Sequence, residues 1–310
     1  MLNTAASHKP AINWMPYIIL AVALCFMSTG AVFVRLAQAE HIPSLAIATL
    51  RYIVAVSILT PIVLTRSQPE LRCITRQQFG FMALAGITFA LALLFFFFGL
   101  EHTTVLIDNL FTNTHPLWVA LVEVIILKVM LNRRVWLGLI LALLGAGLFA
   151  FAGSGSDMGS NPTLGTLFAF GSALLSTVYF ILGRSVRTRV STLVFLWIAL
   201  TTGLILLLIA AFVTHTPLLG YSMSGYFWIL LVTITGQLLG QALMTYSLAH
   251  LPATFVSVSM LAQVILSAVQ AAIIFGEQPG PVQVIGSAVV LAGVALVITA
   301  RAPKSVGKSN

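Results

Sequence analysis

The sequence predicts an all-α integral membrane protein of ten transmembrane helices, arranged as two inverted five-helix repeats. Three observations predict it. Hydrophobic residues fill 59% of the 310 positions and charged residues 7%, with a mean hydropathy of +1.06, whereas an ordinary soluble domain carries roughly 25% charge. Apolar runs long enough to span a hydrocarbon core recur along the whole chain. A shift of 148 positions also brings the first half onto the second without a gap.

The runs cover 16–35, 44–65, 78–100, 104–128, 135–152, 163–183, 191–213, 225–248, 252–276 and 281–300. At 1.5 Å per residue, about 20 residues of helix cross about 30 Å of hydrocarbon. No water is available there, so each span must satisfy its own backbone hydrogen bonds, and the runs are too long for barrel strands. The first run is no cleaved leader: it is long, lacks a small-residue cleavage site and is followed by nine more. The Gly/Ser-rich stretch "AGSGSDMGSNPT", 152 to 163, reads as a boundary between halves. The expected organisation is a first repeat over 1–152, a linker over 153–162, a second repeat over 163–301 and a cytoplasmic tail over 302–310.

The net charge of +8 is a topology signal. With a cytoplasmic N-terminus, the inner side receives Lys9, Arg66, Arg72, Arg76, Lys128, Arg133, Arg134, Arg184, Arg187, Arg189, Arg301, Lys304 and Lys308. Of the 15 basic residues only Arg35 and Arg51 then fall toward the outside, with Glu40, Glu101, Asp157 and Glu277. This follows the positive-inside rule, needs no nucleic acid, and puts both termini in the cytoplasm of a cell's inner (plasma) membrane.

In the 148-residue register, "MSTGAVF" lies on "LSTVYFI", so Ser28 and Thr29 meet Ser176 and Thr177. His102 meets His250, and Gly138 and Gly145 meet Gly286 and Gly293. Five spans per half bring the second copy into the membrane from the opposite side. Two inverted bundles with a shared interface provide the geometry of alternating access.

The stretches "STGAVFVRLA", "SLAIATLRYIVAVSIL", "NTHPLWVALVEVIILK", "GQALMTYSLAHLPATFVSVSMLAQVILSAVQAAIIFGEQP" and "GSAVVLAGVALV" occur in that order. With the ten spans and the repeat, they make the chain resemble the EamA-type members of the drug/metabolite transporter superfamily over nearly its whole length. The resemblance implies a ten-helix carrier of small metabolites with a central cavity formed mainly by helices one, three, four, six, eight and nine. The chain departs from the family at Val129, where a Glu is common, although the second repeat keeps Glu277. It departs again at Gln263 and Val264, where a Glu-Pro pair is common.

The segment "LIDNLFTNTHPLW", 106 to 118, is polar where the fourth run should be apolar. On a continuous helix Asp108, Thr112, His115 and Glu123 share a face that Asn109 and Asn113 widen. Pro116 frees the carbonyl of Thr112. Ionisable groups at membrane depth normally face a cavity or a partner, so the stripe is expected to point inward. Asp108, His115 and Glu123 are the candidates for proton coupling, histidine being the side chain that titrates near neutral pH. The competing reading makes Asp108 and His115 a packing cluster satisfied by Asn109 and Thr112, and pairs Glu123 with Lys128 or a loop arginine.

Further candidate cavity residues are Trp118, Tyr179, Gln241, Tyr246, Met260 and Gln263, with Phe95 or Phe98 from the run "LLFFFFG". Ser28, Thr29, Ser176 and Thr177 are expected to mediate close helix packing, and Gly138, Gly145, Gly286 and Gly293 to form small-residue ridges within the chain or in a homodimer. Arg51 either meets a substrate carboxylate or, as expected here, snorkels to the outer interface. Cys25 and Cys73 form no disulfide framework or metal site, and no phosphate-binding glycine loop is present. No cofactor or metal is expected. The reading is a secondary or facilitative transporter of a small metabolite, an amino acid or related amphipathic compound, working as an exporter with the bilayer and its substrate as partners. The alternatives are a membrane-embedded enzyme acting on a lipid or isoprenoid, with Asp108 and His115 as acid and base, and a receptor or assembly factor without flux.

Overall fold

In a computed structural model, residues 14–102, 108, 111–126, 128, 130–151, 161–187, 190–275 and 280–300 are described. Helix α1 runs Met15–Ala39 and α2 Ser44–Arg66, followed by a short α3, Gln68–Cys73. Next come α4 (Arg76–His102), α5 (His115–Ile125) and α6 (Arg133–Phe151). The second half contains α7 (Pro162–Arg187) and α8 (Thr192–Val213). It continues with α9 (Met223–Val232), a π-helical segment Thr233–Gly240, and α10 (Gln241–His250). It ends with α11 (Ala253–Met260), α12 (Ala262–Phe275) and α13 (Pro281–Thr299). There is no strand among the described residues.

The helix starts follow local chemistry. Ser191 and Ser222 cap α8 and α9, their side chains accepting the N–H groups of Val194 and Gly225. Proline stands at the first position of α7 and α13, where its missing N–H leaves no carbonyl unpaired.

Helix bounds repeat with the register read from the sequence. Adding 148 to the ends of α2, 44 and 66, gives 192 and 214, against 192 and 213 for α8. Adding it to α6, 133 and 151, gives 281 and 299, the bounds of α13. These two helices cross on glycine. A β-carbon on Gly138 would stand 2.6 Å from the carbonyl oxygen of Gly293, and one on Gly145 2.7 Å from that of Gly286. The pairing numbers run in opposite directions, so α6 and α13 are antiparallel, as repeats inverted about an axis in the membrane plane require. The ridges therefore serve contact within the chain. Ala120, Leu139, Ala142, Val258, Leu261, Val290 and Val294 form a buried cluster around this crossing.

Six described helices are long and apolar enough to cross a membrane: Met15–Ala39, Ser44–Arg66, Arg76–Gly99, Thr163–Val186, Thr192–Val213 and Met223–His250. The shorter apolar helices His115–Ile125, Ala253–Ser267 and Val284–Val297 accompany them. The difference from ten uniform spans has a physical origin in the fourth and ninth. The fourth is interrupted by a turn at Asn113 and Thr114, and the ninth by a turn at Leu261. In the repeat register 113 + 148 = 261, so both halves break the same span at the same place. In the first half the cause is visible: Pro116, in the first turn of α5, has no N–H to continue the ladder.

A larger core joins α1, α2, α4, α7, α8 and α10 through Tyr52, Met82, Tyr179, Phe195 and Met244, all buried. Leu137, Ile140 and Leu144 on α6, and Ile205, Ile209 and Phe212 on α8, are exposed. Such apolar faces would promote association in water but are matched to acyl chains.

Candidate functional site

A cavity of about 290 Å³ lies where α1, α2 and α4 of the first half meet the π-segment, α10 and α12 of the second. Phe89, Leu93, Phe96 and Phe97 form one wall, from the C-terminal half of α4. Arg51 and Tyr52 of α2 face it with Gln237, Gln241 and Gln263. A second cavity of about 280 Å³ shares Ser44 and Phe97 with it and reaches Pro43, Thr214 and Thr216, beyond the helix ends. A narrow extension of about 10 Å³, enough for about one water, continues between Tyr52, Phe89, Tyr179, Gln237 and Gln241.

The π-segment shapes the polar wall. Its backbone N–H groups reach back five residues, as in the bond from Gln241 N–H to the Gly236 carbonyl, and π-segments of this kind concentrate at functional sites. Gly240 lets the segment press against α1: a β-carbon there would lie 2.5 Å from Met27 Cγ and 3.1 Å from Met27 N. Thr29 Oγ1 donates to Thr235 Oγ1 at 3.0 Å across the same contact. Beside it, Gln263 Nε2 donates to the Met27 carbonyl at 3.3 Å, and Gln270 Nε2 to Ser28 Oγ at 2.9 Å. Ser28 and Thr29 thus tie helices together, as close-packing residues do.

Arg51 is turned inward, correcting the expectation that it snorkels outward. Its Nη2 donates to Gln237 Oε1 at 2.9 Å, while Nε is buried with no partner among the described residues. Arg51 lies seven residues past Ser44, about 10 Å into the helix at 1.5 Å per residue. At that depth the Gln237 amide lies within reach of the guanidinium, which donates to it rather than reaching back to the interface. Farther in, Gln241 Nε2 donates to Tyr179 Oη at 2.5 Å. The sequence reading placed Phe95 or Phe98 at the cavity; Phe96 and Phe97 line it instead. Phe95 packs edge-on against Phe168 of α7 at 5.4 Å, and Phe98 lies between Phe168 and the second cavity.

Of the sequence-predicted residues, Gln241 and Gln263 line the cavity and Tyr179 its extension. Asn109 lies outside the described residues. Asp108, Thr112, Asn113, His115, Trp118, Tyr246 and Met260 do not line this cavity. Asp108 is buried against Gly99, and neither carboxylate oxygen has a partner among the described residues. His115 stacks on Phe180 at 5.4 Å and 21°, and its Nδ1 donates to the Thr112 carbonyl at 3.2 Å, the group Pro116 leaves free. The bond leaves Nε2 as a buried acceptor without a partner among the described residues. Trp118 donates to Thr114 Oγ1 at 3.1 Å and packs edge-on against Phe170, while Tyr246 stacks on His250 at 4.3 Å near the end of α10. Met260 packs against the core beside the break at Leu261.

Glu123 does not lie on the cavity either. Its fully buried carboxylate pairs with Arg184 of α7, accepts the N–H groups of Ala253 at 3.0 Å and Thr254 at 3.2 Å, and accepts the Thr254 hydroxyl. The partner is therefore an arginine in the last turn of α7, not Lys128, and the site is the start of α11, where the helix dipole favours an anion. This cluster sits near the N-terminal end of α1, since Ser247 reaches the Pro16 carbonyl and Tyr17 packs on Phe255. The cavity occupies the opposite half of the bundle. Sequence reasoning missed Arg51 and Gln237 as a pair, and the shift to π-helical bonding around Gln237 leaves no hydropathy signature.

A comparison with protein families matches the model of the EamA-like transporter family at residues 14–151 and again at 163–299. Among solved structures, the chain is similar to a protein known from a crystal structure, with a TM-score of 0.76 at 19% sequence identity. That match covers 93% of this chain and 98% of the other, a likeness of fold. A comparison with curated proteins gives no match.

Proposed function

The chain belongs to the EamA-like transporter family, and from that premise we propose that it carries a small amphipathic metabolite, an amino acid or a related compound, across the membrane by alternating access. The observation that carries this reading is the cavity between the two repeats, bordered at one end by helix termini and a loop and separated from the other by the Glu123 cluster. Opening to the other side requires Arg184 and the α11 amides to leave Glu123, while α2 and α4 close over the cavity. The breaks at Asn113–Thr114 and Leu261 supply the flexible points, because broken spans in inverted repeats place adaptable backbone near the midplane. Asp108 and His115, on either side of the first break, are the proposed proton-coupling pair, each with a buried polar atom open to a proton.

The positive-inside bias supports both termini in the cytoplasm of an inner membrane, and hence a cavity facing outward with a cytoplasmic latch at Glu123. Export follows if the latch opens on internal substrate. The test is counterflow of labelled amino acids into proteoliposomes preloaded with the same compounds. Saturable counterflow, weakened by Gln241→Leu, is expected; a folded protein with no saturable flux for any of them sinks the reading. Thiol labelling of Asp157→Cys and Arg187→Cys in cells tests topology, and finding both on one side refutes inverted halves.

A further inference from the structure

Among the described residues, the cavity borders one positive charge and no carboxylate. Among them its only formally charged lining residue is Arg51; the other polar groups described there are amides, hydroxyls and backbone. Inside a membrane protein an arginine is normally matched by an acid, yet the bond described for Arg51 is to the neutral amide of Gln237. Two further groups of this pair point the same way. Arg51 Nε and Gln237 Nε2 are both buried without partners among the described residues, and both are N–H donors. What the pair lacks is acceptor oxygens carrying negative charge. A planar guanidinium beside an amide N–H matches the two oxygens of a carboxylate. The opposite wall, Phe89, Leu93, Phe96 and Phe97, offers aromatic and aliphatic surface. Its volume of about 290 Å³ sits at the small end of ligand sites, roughly 300–1,000 Å³.

We infer that this site selects amphipathic organic monocarboxylates, holding the carboxylate on Arg51 and Gln237 and the hydrocarbon or aromatic body on the α4 wall. The inference rests on the transport reading, since it names the substrate class of that cavity. Arg51 and Gln237 come from different repeats, so one carboxylate bridges the two halves, and its binding is felt by the elements that must move. A bare organic cation finds no negative partner among the described residues of the cavity. A dianion exceeds the single charge available.

The test reads the charge of the cavity without needing the substrate. In a background carrying Cys25→Ser and Cys73→Ser, both sites being exposed, Leu93→Cys places a thiol on the α4 wall. Its modification rate by an anionic methanethiosulfonate, the sulfonatoethyl reagent, is compared with that by the cationic trimethylammonium reagent, each normalised to a free thiol in solution. A lone charge in a low-dielectric cleft raises local counter-ion concentration at least tenfold or so, so the anionic reagent should win by about that factor. The preference should collapse toward the solution ratio in Arg51→Gln and persist in Arg51→Lys. No preference with Arg51 present, a preference for the cation, or a preference unchanged by Arg51→Gln overturns the inference. These rates are read without flux, so absent counterflow would sink the transport reading alone, and a lost charge preference would sink this one alone.

Discussion

Glu123 and Arg51 are two charges inside the same bundle, and the protein treats them in opposite ways. Glu123 is surrounded: an arginine, two backbone amides and a hydroxyl from α7 and α11 all point at its carboxylate. Arg51 is described with one neutral amide, with a donor to spare on each member of the pair. A buried charge that the fold satisfies completely is a fastener, because removing any partner leaves the rest stranded. A buried charge that the fold leaves incompletely matched is a request for a ligand. In the proposed reading, the difference separates the end of the bundle that is tied from the end that would receive substrate.

That contrast is broken most sharply by Glu123→Ala. It strands Arg184 and the α11 amides, and breaking a buried pair in this way costs about 3–5 kcal/mol. A large fall in unfolding temperature is expected in detergent, with the double variant Glu123→Ala/Arg184→Ala less destabilised than the two single changes added together. A near-native Glu123→Ala would show that this cluster does not fasten the bundle. Arg51→Gln should behave in the reverse sense. Taking an incompletely paired charge out of the membrane interior leaves stability within about 1 kcal/mol of native or raises it, while saturable counterflow falls at least tenfold. Equal losses of stability in the two variants would show that Arg51 is as structural as Glu123.

Asp108 and His115 sharpen the comparison because, like Arg51, each has a buried polar atom without a partner among the described residues, yet they lie off the cavity. Asp108→Asn and His115→Ala should leave ligand-induced thermal stabilisation in place, since neither side chain borders the cavity, while flattening the pH dependence of flux. Ligand binding raises apparent stability by mass action. Loss of that stabilisation in both variants would move the binding site to the fourth span.

The scaffold was legible because lipid makes the hydropathy pattern nearly sufficient. Backbone self-satisfaction forces helices, the register of 148 predicts their bounds to within a residue at α2 and α8, and glycine landmarks mark the α6–α13 crossing. The site was less legible, for particular reasons. The stripe through Asp108, Thr112, His115 and Glu123 presumes one continuous helix, and the turn at Asn113–Thr114 removes the shared angular phase. Pro116 did signal the freed Thr112 carbonyl, and His115 takes it. Arg51 carries no local mark of its direction, because snorkelling and inward pairing use the same side chain, and the deciding partner stands 186 positions away on a segment whose π-helical bonding is invisible in composition. Gln241, Gln263 and Tyr179, which border the cavity or its extension, stand out in the sequence because amides and phenols at membrane depth contrast with leucine.

The smallest effect belongs to a second acidic contact, that of Glu40, at the cavity end. Glu40, in the turn between α1 and α2, accepts hydrogen bonds from Ser222 Oγ and Ser224 Oγ, each at 2.6 Å, so it ties that turn to the start of α9. These bonds, that from Ser222 first, hold its carboxyl below the usual glutamate range. A carboxyl whose folded pKa is depressed contributes stability that is fully present above its unfolded value of about 4.3, and loses that contribution as pH falls through the lower folded value. Because Glu40 is open to solvent, the tie is weak and screened. With the intrinsic rate divided out, amide protection in 214–224 should therefore fall slightly more below about pH 4 in the native protein than in Glu40→Gln, with no difference between them at neutral pH beyond a constant offset. An exchange protection that stays parallel in the two proteins down to pH 3 would show that the serines hold the turn without the charge, leaving Glu123, through its contacts to Arg184 and α11, as the acid that fastens the bundle.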